Sequence, residues 1–214
     1  MRQDPTALED TWLSRAKRLL ALAETGQHFT QDPFDRERYE EVAGLARALL
    51  ADLGDVPLSR IEGLVCEHAG GYASPGIDLR AAVIRKGRIL LVRERSDGKW
   101  SMPGGFADIG SSPAENIERE VLEEAGLKVR ATRLYALRHK ARHAYPPDVR
   151  DFYKLFFLCE EAGQADPTAG EETSEAAFHA LDALPDLSLD RNLEQDIQYA
   201  FQATRSDAAP TMFD

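Results

Sequence analysis

Two cysteines occur in 214 residues, Cys66 and Cys159, and they stand far apart in no metal-ligand spacing. A disulfide-stapled scaffold and a cysteine-ligated zinc site are thereby excluded, and two idle thiols in a reducing compartment are expected. No run of eighteen apolar residues exists, so no membrane-spanning helix is expected. The polar, helix-patterned N-terminus is unlike a secretory signal, which makes a cytoplasmic protein the expectation. Large basic blocks are missing too: 37 acidic residues oppose 26 basic ones, for a net charge of −11. Stable, backbone-directed binding to nucleic acid is therefore not expected, and an anionic substrate would need metal ions to approach such a chain. No internal repeat is visible.

What is present divides the chain in two. Up to residue 69 the apolar residues recur at helical spacing. Trp12, Ala16, Leu19, Leu20 and Ala23 define a helix over 6–24 that Gly26 should stop. Asp32-Pro33 opens a second helix, 34–53, with Tyr39, Val42, Ala46, Leu49, Leu50 and Leu53 inward, and a third short one starts at Pro57. Such an all-helical piece is near the lower size limit for a core of its own, so it should pack on the rest of the chain or on a second subunit. Residues 70–76, Gly-Gly-Tyr-Ala-Ser-Pro-Gly, read as a linker. Then the period changes. Residues 77–85 and 88–95 form strands around a Lys86-Gly87 turn, further strands cover 128–137, 151–159 and the neighbourhood of Phe178, and 189–203 closes the domain as a helix. The second domain runs over 77–205, and 206–214, lacking a core pattern, should fray. The order of elements implies an α+β fold with mixed sheets.

Between those strands lies the stretch from Gly104 to Leu127. Ser112 is a good N-cap, Pro113 suits the first turn, Glu115 completes a capping box and Gly126 is placed to end the helix. Ile117, Val121 and Ala125 share one face, and Glu120, Glu123 and Glu124 gather on another. Three neighbouring carboxylates repel one another, and a hard divalent ion such as magnesium removes that cost.

Gly105, Arg119-Glu120-Val121, Glu123-Glu124 and Gly126-Leu127 stand at the spacing of the Nudix box, and the chain resembles a Nudix hydrolase. One position departs: the pattern's first glutamate is Ser111, and either Glu115 or Asp108 could pair with Arg119 in its place. The resemblance implies an α/β/α sandwich, preceded here by the helical domain, and hydrolysis of a nucleoside diphosphate conjugate using Mg2+ or Mn2+. It places the ions on Glu120 and Glu124, with Glu123 supporting and the carbonyl of Gly104 as a further ligand. Arg119 reads as a brace for the carboxylates. A general base is expected from the loop before the last strand, at Glu172 with Glu171 adjacent, or from Glu123.

Stretches such as residues 34–40, 72–80, 99–105 and 153–159 resemble one bacterial branch of the family, which has a helical N-terminal extension and forms dimers. That branch implies CDP-choline as first substrate and ADP-ribose as second, and a homodimer. For binding the conjugate, Tyr72 and Phe106 could stack a base and Arg80 could reach a phosphate. His139, Lys140, Arg142 and His143 form a local basic concentration able to hold phosphate or ribose.

Overall fold

The computed structural model describes residues 11–54, 74–108, 110–206 and 209–214. The third N-terminal helix, Cys66, Tyr72 and the first part of the linker lie outside the described residues. The chain divides into two compact units: residues up to Gly76 together with Ala141–Phe152, and Ile77–Lys140 together with Tyr153–Asp214.

In the first unit, α1 (Thr11–Phe29) and α2 (Pro33–Gly54) pack on each other. Their shared core is small-residue rich: Leu13, Ala16, Leu20 and Ala23 meet Ala43, Ala46, Leu50 and Ala51. Gly26 does not stop α1. The helix runs on to Phe29, and a Cβ on Gly26 would stand 2.5 Å from the Tyr39 ring, so this glycine serves close helix approach rather than termination. Residues 141–152 join the unit through Val149, which packs on the helical core, and through Lys17, whose Nζ reaches Asp151 Oδ1 at 3.3 Å. The inward set expected on α2 is corrected in part. Tyr39, Val42, Leu49 and Leu53 are exposed, as are Trp12 and Leu19 on α1, because alanines at neighbouring positions fill the helix contact.

The second unit is a seven-stranded mixed sheet. Its strands are β1 (Gly76–Arg85), β2 (Arg88–Glu94), β3 (Trp100–Ser101), β4 (Val129–His139), β5 (Phe152–Glu161), β6 (Thr173–Ala180) and β7 (Met212–Phe213). The order is β3-β2-β1-β5-β4-β7, with β6 antiparallel to β2 and β7 parallel to β4. Helix α3 (Pro113–Ala125) covers one face and α4 (Glu194–Ala203) the other. Strand alternation divides the side chains between them. Leu79, Ala81, Val83, Leu90 and Val92 go to Ile117, Val121 and Ala125 of α3, whereas Ala82, Ile89, Leu91 and Phe156 go to Ile197 and Ala200 of α4. This is an α/β/α sandwich.

Two ends differ from the sequence expectation. Helix α4 starts at Glu194 rather than Leu189, because the Asp196 carboxylate accepts from the Leu193 amide at 2.7 Å and fixes the first turn there. The tail does not fray at its end: Met212 and Phe213 pair with Ala136 and Leu137, and the Thr211 hydroxyl donates to the Leu134 carbonyl at 2.7 Å. A two-residue strand is too short to leave a periodic pattern.

Candidate active site

The loop ahead of α3 is laid against β1 by its backbone. Leu79 N donates to Gly105 O, Ala81 N to Pro103 O and Ala107 N to Ile77 O, all at 2.8–2.9 Å. Gly104 has φ of +147°, and a Cβ there would stand 1.9 Å from the Leu79 carbonyl oxygen, so only glycine fits. At its far end α3 closes on Gly126, which takes the left-handed conformation. The capping box is present as the sequence indicates, with Ser112 accepting from Glu115 N and Glu115 accepting from Ser112 N.

Helix and loop bring the box residues together. The Gly104 amide donates to Glu124 Oε2 at 2.9 Å, and Glu120 Oε2 lies 3.0 Å from where a Cβ on Gly105 would be. Glu124 is buried, Glu120 half-buried and Glu123 exposed. Burial pushes the Glu124 carboxyl up to about 8, with Glu94 and Glu120 adding repulsion against the pull of Arg80 and the Gly104 amide. Burial, then Glu123, raises Glu120. Two carboxylates held at one place against their own electrostatics are suited to a hard cation.

Among the described residues no three acidic, histidine or cysteine side chains form a complete metal cage. Magnesium takes one or two carboxylates and fills its shell with water and substrate phosphate. Glu120 and Glu124 are the carboxylates gathered there.

Arg119 sits among the acids. Its Nη2 lies 2.7 Å from Asp108 Oδ2 and 3.6 Å from Glu120 Oε1, and its Nε lies 3.8 Å from Glu123 Oε1. Of the two partners open in the sequence, Asp108 has it, because Glu115 is engaged as the cap. Loop geometry around Ser111 falls to a residue that sequence reasoning passed over. Buried Asn116 accepts from Asp108 N at 3.0 Å and from Arg119 at 2.9 Å, and it donates to the Ser111 carbonyl at 3.2 Å and the Ser112 carbonyl at 3.1 Å. A buried asparagine one turn into a helix, facing a loop, is the signal that could have revealed it.

The loop carrying Glu171 and Glu172 is pinned to the C-terminal end of α3. Thr168 N donates to Ala125 O at 2.9 Å, Gly170 N to Glu124 O at 3.2 Å and the Thr173 hydroxyl to Glu124 O at 2.8 Å. Both glutamates are exposed, and their carbonyls accept from Arg95.

The remaining expected residues are scattered. Phe106 is exposed beside the box glycines, bridged by backbone to Asp78. Arg80 is buried, its guanidinium held by Asp78 at 2.7 Å and by the Met102 carbonyl at 3.3 Å. His139 meets the Tyr153 ring edge-on and Lys140 is buried 3.7 Å from Asp190. Arg142 and His143 belong to the helical unit, where His143 faces Tyr145.

The NUDIX domain model matches residues 63–201. The chain belongs to the Nudix hydrolase family. This Nudix pyrophosphohydrolase also matches, over residues 10–65, a model described as a UDP-X-like, N-terminal oligomerisation domain. It is 40% identical over 97% of its length, and 99% of the relative's, to YjhB of Bacillus subtilis (strain 168), which is provisionally named an ADP-ribose pyrophosphatase. A crystal structure of a UDP-X diphosphatase aligns over 95% of this chain and 98% of its own, with TM-score 0.61 and 32% identity. An ADP-ribose pyrophosphatase structure from Streptococcus suis covers 66% of this chain and all of its own, with TM-score 0.58 and 36% identity.

Proposed function

We propose that this Nudix hydrolase cleaves the diphosphate link of ADP-ribose to give AMP and ribose 5-phosphate. The observation that carries hydrolysis is the convergence of Glu120 and Glu124 on the Gly104–Gly105 backbone. The similarity to YjhB over nearly the whole of both chains supports ADP-ribose as the conjugate. UDP-linked conjugates are the second reading, favoured by the near-full-length match to a UDP-X diphosphatase. CDP-choline, the first expectation from the sequence, is named in none of the relatives described above.

In this reading Mg2+ or Mn2+ would be held by Glu120, Glu124 and the Gly104 carbonyl, where it would offset diphosphate charge and lower the pKa of a bound water. The chain's own groups do the rest. Glu172 with Glu171 adjacent, or Glu123 of the box, takes the proton of the water that attacks phosphorus. Arg119 holds Glu120 and Glu123 in one orientation. Phe106 offers a face to the base. The exposed apolar side chains of α1 and α2, with the oligomerisation-domain match, support assembly as a homodimer.

The test is a panel of ADP-ribose, a UDP-sugar and CDP-choline with Mg2+ or Mn2+ in oxygen-18 water, products read by mass. ADP-ribose should turn over fastest, and Glu124→Gln should remove roughly 10²-fold or more of the rate while the fold persists. Indifference of the wild type to all three, or wild-type turnover by Glu124→Gln, would refute the reading.

A further inference from the structure

A second group of charges lies enclosed beneath the box carboxylates. Asp78 and Arg80, two apart on β1, share the face opposite Leu79, Ala81 and Val83. Asp78 accepts from Arg80 at 2.7 and 3.2 Å and from Lys154 Nζ at 2.5 Å. Arg80 is 5% exposed, Asp78 3% and Lys154 1%. The group adjoins the cation site: the Arg80 Cα lies 3.0 Å from the place of a Cβ on Gly104, whose amide holds Glu124. Arg80 is electrostatically coupled to Glu124 and to buried Glu94, itself held by Ser101 Oγ at 2.6 Å and Arg191 Nε at 2.9 Å.

Read outward, the charges alternate: Lys154 positive, Asp78 negative, Arg80 positive, then Glu124 and Glu94 negative. An arginine beside a cation site repels the cation. The carboxylate behind it cancels much of that field, and the lysine behind the carboxylate restores part of it. Buried charges are little screened, so even Lys154, the member farthest from the cation site, is felt. We infer that the Lys154–Asp78–Arg80 chain sets the divalent-cation affinity of the Glu120–Glu124 site. Asp78 and Lys154 are positioning residues of opposite sign that touch neither cation nor substrate. The inference rests on the cation site of the proposed function.

The experiment is Mn2+ binding to the full chain, read by the electron paramagnetic resonance of free Mn2+ at fixed pH, with thermal unfolding alongside. Asp78→Asn should weaken binding by roughly three- to tenfold, Lys154→Met should tighten it by roughly threefold, and the double variant should lie near wild type. A merely structural role moves all three the same way, towards weaker binding and lower stability. Shifts of the same sign, or no tightening in Lys154→Met, overturn the inference, and the second criterion holds even where Asp78→Asn fails to fold. Wild type that binds no Mn2+ overturns the cation site itself, a different failure from wild type that binds while its variants do not diverge.

Discussion

Glu124 carries the sharpest conflict in the molecule: a carboxyl placed in a buried site beside two others. In the metal-free protein, burial lifts it from 4.5 to about 8. A carboxyl raised in the folded state holds its proton more tightly there than in the unfolded chain. Its contribution to stability is therefore complete below the unfolded value and is lost as pH rises towards the folded one. Between roughly pH 5 and 8, metal-stripped wild type should lose more Tm than metal-stripped Glu124→Gln, and a divalent ion should remove the difference. Parallel Tm profiles for the two proteins would show that the carboxyl is not strained as described. Glu120, half-buried and raised in the same direction, should add a smaller slope of the same sign.

At the scale of elements, the box helix works because two loops are fixed to it. Ahead of it, Asn116 gathers the Asp108, Ser111 and Ser112 backbone while Asp108 pairs with Arg119. The bracing of Arg119 and of the loop at Ser111 is here divided between Asp108 and Asn116, so Ser111→Glu should leave kcat/KM close to wild type. Asn116→Ala should lower it clearly and cost about 1–3 kcal/mol in denaturant unfolding, since several partly buried backbone groups lose their partner. Behind the helix, Gly170 permits contact no side chain could make: a Cβ there would stand 1.8 Å from the Glu123 carbonyl oxygen. Gly170→Ala should push the loop bearing Glu171 and Glu172 off the helix end, reducing kcat with little change in Mn2+ affinity. Equal loss of both would show that the loop supports the cation site rather than proton transfer.

Over the whole molecule, the helical unit leaves a second apolar stripe outside its own core. Val42, Leu45, Leu49 and Leu53 recur at helical spacing on α2 and are all exposed, Leu45 at 62%. A single unit that size gains little by exposing so much apolar surface, and a second copy would bury it. Leu45→Asp should convert the proposed homodimer to monomer in light scattering; unchanged mass would place the assembly surface elsewhere. Among the described residues no helix is long and apolar enough to cross a membrane. By itself the sequence determined the box helix, its cap and stop, the hairpin of β1 and β2, the acidic trio and the family, because each of these depends on residues near one another in the chain. Tertiary structure alone decided which helix residues face inward in α1 and α2, where small alanines displaced larger candidates. It also decided that Asp108 and not Glu115 pairs with Arg119, and that Asp78, Arg80 and Lys154 close into one buried group. The first and last of these turn on contacts between segments distant in sequence, and the second on which acid the helix cap already holds, so packing volume, desolvation and prior engagement choose among partners that spacing leaves equivalent.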